Sequence, residues 1–155
     1  MIPEEVKESM AGPIMAVTAT RDANLRPTQV RVFESRVHPD LKTVTCFIAE
    51  CNSAKMIENL EANGRITLTV SNPAQNDSYQ LKGNFVSWRR NSEEDDSAMD
   101  GNMAQFREVL HHMGMPEEMI GHWNLWTYKP GLAITFEVDS VFGQAPGPDT
   151  GKLIS

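Results

Sequence analysis

Five runs of alternating or β-branched residues, each closed by a polar turn, fill the first 88 residues of this chain. Residues 14–20 form the first run, and Arg21-Asp22-Ala23-Asn24-Leu25-Arg26 turns it. Residues 28–36 alternate most clearly, with Val30 and Val32 on one face and Gln29, Arg31 and Phe33 on the other. After His38-Pro39-Asp40 comes a third strand over 43–49. A fourth, over 66–70, alternates with threonines, and a fifth over 79–88 contains Gly83, which predicts a bulge or bend. Leu132, Ile134, Phe136 and Val138 supply a sixth. Short strands joined by short turns cannot leave their edges open, so closure into a barrel is the expected solution.

The helical signals are fewer. Residues 3–10 predict a short helix with Val6 and Met10 on one face, and 54–63 predict another, stopped by Gly64. Met103, Phe106, Val109, Leu110 and Met113 follow helical spacing, and Pro116 opens a further short helix. Residues 89–100, with Glu93-Glu94-Asp95-Asp96, read as a polar, mobile connection with a solvated acidic run. The segment 143–148, Gly-Gln-Ala-Pro-Gly-Pro, cannot be regular structure. The expected class is mainly β: a six-stranded antiparallel barrel, a short helix after the third strand, and a helical insertion before the last.

With 155 residues, the expectation is one domain over 1–155. A net charge of −7 argues against general nucleic-acid binding, so any anion site must be local. Cys46 and Cys51 make neither a disulfide framework nor a metal motif. The N-terminus lacks a signal-peptide apolar region, and no run approaches the ~18 apolar residues of a membrane span. A cytoplasmic protein is expected.

One stretch carries chemistry. Cys51-Asn52-Ser53-Ala54-Lys55-Met56 reads as a strand end, a polar N-cap and a helix start with a lysine in its first turn. A cation is disfavoured there, because the helix dipole already places partial positive charge at that end. A hydroxyl, free backbone N–H groups and an ammonium make sense together around an anion. Arg31, mid-strand, offers a rigid fork of donors suited to phosphate. Gln80 opens the fifth strand. His111 and His112 are adjacent and cannot share a metal, and no metal site is expected. No nucleophile elbow, P-loop or dinucleotide fingerprint is present, and no residue stands out as a general acid or base. Trp123, Trp126 and Tyr128 form an aromatic cluster suited to core or interface packing.

The order of these pieces resembles the pyridoxamine 5'-phosphate oxidase-like family, the FMN-binding split barrels. Arg26-Pro27-Thr28-Gln29-Val30-Arg31-Val32 is similar to that family's Pro-containing strand with an arginine. Ser53-Ala54-Lys55 with Ile57-Glu58-Asn59 is similar to its Ser-x-Lys helix start. Asn63-Gly64-Arg65 and Tyr79-Gln80-Leu81-Lys82-Gly83 correspond to its Asn-x-Arg strand and Gln strand. The likeness covers roughly residues 11–88, with an echo from Lys129-Pro130-Gly131 to Phe136.

The resemblance implies a split barrel binding FMN. Arg31, Ser53, Lys55 and Gln80 would contact the phosphate or ribityl chain, and backbone around Val32–Phe33 and Cys46–Phe47 would flank the isoalloxazine. It implies a homodimer with the cofactor at the subunit interface, the aromatic cluster near that interface, and oxidoreductase chemistry on a small-molecule substrate. The oxidase's tryptophan and Arg-x-His, which grip its vitamin substrate, have no counterpart in Thr135-Phe136-Glu137-Val138-Asp139-Ser140, so true pyridoxamine phosphate oxidation is not expected. Alternatives are a deazaflavin or haem in the same fold, with haem needing His111, His112 or His122 as axial ligand. A cofactor-free dimeric stress or binding module is the third reading.

Overall fold

A computed structural model describes residues 1–123 and 127–155, with the backbone alone at Trp123. Six antiparallel strands close into a barrel in the order β1-β2-β3-β6-β5-β4. They are β1 (Met15–Arg21), β2 (Pro27–Val37), β3 (Thr43–Ala49), β4 (Arg65–Asn72), β5 (Asp77–Arg90) and β6 (Gly131–Gly143). The helices are α1 (Glu4–Met10), α2 (Ala54–Asn63), α3 (Glu93–His112) and α4 (Glu117–Trp123). The expected barrel with appended helices is thus the architecture found.

Alternation explains the barrel interior. In β4, Ile66, Leu68 and Val70 point inward and are buried, while Arg65, Thr67 and Thr69 point out. Val30, Val32, Val44, Cys46, Ile48, Leu81, Ile134 and Phe136 complete the core. The two ends are plugged by helices. Val6 and Met10 of α1 enter at one end, where Asn72 donates a 2.8 Å hydrogen bond to the Ser9 carbonyl. Met56 and Leu60 of α2 enter at the other, where Asn59 donates to the Thr20 hydroxyl at 3.0 Å. No helix among the described residues is long and apolar enough to cross a membrane.

The acidic stretch differs from expectation. Residues 89–100 are not a mobile connection: β5 runs on to Arg90, and α3 begins at Glu93. Ser92 and Asp95 form a reciprocal capping box, so the acids fall in the helix's first turn, where the dipole favours them. Asp95 is not solvated. Its side chain is 3% exposed and ion-paired to Arg89 at 2.6 Å. Burial opposes its ionisation, but hydrogen bonds from Arg89 and Ser92 prevail and hold its carboxyl at about 2. Helix α3 then lies across the outside of the barrel, where Met99 and Met103 pack on Phe33, Phe47, Ala49 and Ala133.

Gly83 sits where the β5–β6 register shifts, as its position in the strand predicts. A Cβ there would lie 2.0 Å from the Glu137 carbonyl oxygen and 3.0 Å from the Phe136 ring. The obstacle is backbone and cannot rotate away. Gly83→Ala should therefore destabilise the protein by about 2 kcal/mol or more. Urea unfolding checks this, and a variant as stable as wild type would mean that β6 yields freely at this point.

Candidate functional site

Strand pairing assembles the outer face. Arg31 of β2 lies opposite Val17 of β1, Val17 opposite Thr69 of β4, and Thr69 opposite Gln80 of β5. Directly opposed residues of antiparallel strands share a face, so these four form one outward row. At about 4.8 Å per strand, the row spans roughly 14 Å. Gln80 donates to the Thr69 hydroxyl at 3.4 Å, a long bond within that row. Because Val32 opposes Ile48, continuing the register sets Arg31 level with Ala49, just before the turn into Ser53.

Arg31 is half-buried. Its guanidinium carbon lies 5.6 Å from the Phe33 ring centroid and 5.7 Å from that of Phe106. Burial lowers its pKa to about 10, so it remains a cation at neutral pH. The charge is thus held in poorly hydrated surroundings, where an anion is attracted more strongly than in water.

Ser53 is 5% exposed and precedes α2. Its hydroxyl turns back to donate to the Glu50 carbonyl at 2.7 Å, and no side chain caps α2. A capping hydroxyl would compete with an anion for the first-turn N–H groups, and none does. Lys55 pairs with Glu58 at 2.6 Å, with both side chains about half exposed or more. Such an exposed pair is weak and can be exchanged for a phosphate contact.

The backbone expected to flank a flavin ring belongs to residues whose side chains are all buried. The Val32 and Cys46 side chains are fully buried in the barrel, and burial pushes the Cys46 thiol up to about 12. Phe33 and Phe47 point outward but lie beneath α3. Tyr128 stacks on Phe33 with ring centroids 5.0 Å apart and donates to Asp100 at 2.6 Å. Asn102 of α3 donates to the Phe33 carbonyl at 2.7 Å, so that backbone group is engaged within the chain. The uncovered part of the row is Val17–Thr69–Gln80, whose members are each partly exposed. Trp126 and the Trp123 side chain lie outside the described residues.

Asn102 and Glu34 were not apparent from sequence. Asn102 is a buried amide of α3, whose acidic first turn carries no apolar helical spacing to announce it. Glu34 follows a bulge at Phe33, the extra residue between the pairs Val32–Ile48 and Glu34–Phe47. The bulge keeps Glu34 on the outer face with Phe47 and turns Ser35 inward beside Cys46. Burial raises the Glu34 carboxyl to about 7, against a hydrogen bond from the Ser35 N–H and the nearby charge of Arg36. Among the described residues, no three His, Cys, Asp or Glu side chains converge as a metal site. His112 and His122 each engage a carbonyl one helical turn back, Glu108 and Glu118.

The cations Arg31 and Lys55 and the α2 N-terminus, which no side chain caps, are donor types suited to a phosphate. The Val17–Thr69–Gln80 strip offers apolar and amide surface beside it.

No family model and no curated protein matches the sequence. Solved structures do match. HupZ of Group A Streptococcus is similar at 16% identity, over 97% of this chain and 100% of that one, with a TM-score of 0.56. An FMN-binding protein from Syntrophomonas wolfei is similar at 14% identity over 90% and 84%, with a TM-score of 0.55. A Clostridium acetobutylicum protein related to general stress protein 26, of the pyridoxinephosphate oxidase family, is similar at 16% identity over 97% and 93%, with a TM-score of 0.50. Identities this low show the fold alone, and the fold of this chain is the barrel that these structures share.

Proposed function

We propose that this protein binds FMN and acts as an oxidoreductase on a small molecule, as a cytoplasmic homodimer with the cofactor at the subunit interface. The observation that carries the reading is the shared outer face, with Arg31 and Gln80 in one row and Arg31 level with the chain entering Ser53 and Lys55. One similar structure is that of an FMN-binding protein, which supports the same cofactor. Arg31, Lys55, the Ser53 hydroxyl and the α2 N-terminus would hold the phosphate, and Gln80 would meet the ribityl chain or ring edge. When bound, the flavin supplies the electron-transfer chemistry. The chain's part is binding, orientation and exclusion of water. Vitamin substrates are not favoured, because β6 carries no arginine or tryptophan with which to grip them.

The direct test is titration of the purified protein with FMN, riboflavin, a deazaflavin and haem, followed by absorbance and thermal shift. FMN should saturate one site per chain and raise the melting temperature with concentration, since it binds the folded state. Riboflavin should bind more weakly. Preference for deazaflavin or haem would reassign the cofactor, and no shift with any of them would leave a cofactor-free module.

A further inference from the structure

A second set of cations lies on the same barrel, away from Ser53 and Lys55. Ala19 of β1, Thr67 of β4 and Lys82 of β5 form the outward row next to that of Val17, Thr69 and Gln80. One step further along, continuing the β1–β4 register brings Arg21 opposite Arg65. Like charges directly opposite each other destabilise a sheet, and here Lys82 adds a third on the diagonal. These residues line a recess of about 320 Å³ whose walls contain no carboxylate.

The three cations are unevenly compensated. Arg65 is held at 2.8 Å by Asp139 and at 2.6 Å by the Asn84 amide oxygen. Arg21 and Lys82 have no ion-pair partner among the described residues. Arg21 reaches only the Asp22 carbonyl at 3.4 Å, and the Lys82 ammonium lies over the Phe142 ring at 4.4 Å. A protein of net charge −7 has carboxylates to spare, yet none neutralises these two. Two uncompensated cations thus line one open recess, which is the electrostatic arrangement of an anion site.

We infer that the Arg21–Arg65–Lys82 recess binds a small, doubly charged oxyanion, either a phosphate monoester or a dicarboxylate. The guanidinium of Arg21 offers a planar fork and Lys82 a point charge, while the Thr67 hydroxyl between them donates only a long 3.5 Å bond to the Ala19 carbonyl, which an anion can replace. The recess adjoins the strip ending at Gln80 but uses other residues, so it would take a ligand separate from the flavin phosphate. The site stands or falls independently of the flavin reading.

The test is a titration of the isotope-labelled protein with inorganic phosphate and with succinate at constant ionic strength, with choline chloride as cationic control. Amide signals of Arg65, Thr67 and Lys82 should shift and saturate with at least one of the two anions and remain still with choline. Phosphate alone would indicate a phosphorylated ligand, and succinate alone a dicarboxylate. In Arg21→Gln/Lys82→Gln the affinity should fall by about tenfold or more, the loss expected for charge-assisted contacts. Both side chains are outward, so this double variant should keep the wild-type fold. Lys82→Gln alone serves as a milder second variant with a partial loss. FMN affinity should be unchanged in either. Shifts confined to Ser53–Met56, undiminished binding in the double variant, or no shift at all would overturn the site. A parallel loss of FMN affinity would also overturn it, by making the recess the seat of the flavin phosphate.

Discussion

Glu34→Gln should barely change stability at pH 4 and should raise it by about 3 kcal/mol at pH 8. The carboxyl lies on β2 in a recess of about 240 Å³ between α1 and α3, with Lys7 and Arg36 among its neighbours. Burial raises it to about 7 in the folded chain, whereas an unfolded glutamate ionises near 4.3. A raised carboxyl pKa means the native state prefers the neutral form. The stabilising effect of that preference is fully present below about 4.3 and is lost as pH climbs through about 7. Above that, the native state carries a poorly solvated carboxylate. Glutamine stays neutral throughout and can still accept from the Ser35 N–H, which lies 2.7 Å from the Glu34 carboxyl. The gain should therefore grow between pH 4 and 7 and then level off. Urea unfolding of both proteins at several pH values checks this. A difference independent of pH would show that Glu34 ionises in the native state just as it does in the unfolded chain.

Lys55→Ala should weaken FMN binding by about 1.5–3 kcal/mol, the range for hydrogen bonds to charged groups. Riboflavin, which lacks the phosphate, should be almost unaffected. The apo protein should lose little stability, because the variant gives up only the exposed Glu58 pair and removes a cation from a helix N-terminus. Ser53→Ala should act in the same direction on FMN. It should also cost some stability, since the hydroxyl ties the Glu50 carbonyl ahead of α2. Calorimetric titration with both ligands separates the cases. Equal FMN affinity in wild type and Lys55→Ala would remove the phosphate from this helix end, even for a protein that binds flavin. Equal losses for FMN and riboflavin would put Lys55 against another part of the ligand.

The barrel was legible in the chain because strand alternation is local. Val30 and Val32, then Ile66, Leu68 and Val70, announce their inward face at a period of two, and Gly83 marks its own bulge. The Ser-x-Lys helix start was legible for the same reason: cap position, dipole and stop signal lie within a dozen residues. Residues 89–100 were not legible as a strand end and helix start, because four consecutive acids look solvated. Glu93 and Glu94 are indeed exposed, but the burial of Asp95 depends on Arg89 and Ser92 meeting it, and the seating of α3 on Met99 and Met103 finding the outer face of β2, β3 and β6.

Periodicity determined which residues point inward and where the chain turns. Only the tertiary structure decided what lies over each outward face. The bulge at Phe33 sends Glu34 out and Ser35 in, and no alternation pattern contains an inserted residue in advance. Helix α3 covers Phe33 and Phe47 but leaves Val17, Thr69 and Gln80 partly open. Arg21, Arg65 and Lys82, separated by dozens of residues, converge only through the β1–β4–β5 register. Local propensity acts over a few residues, whereas charge and burial act between residues that only closure of the barrel makes neighbours.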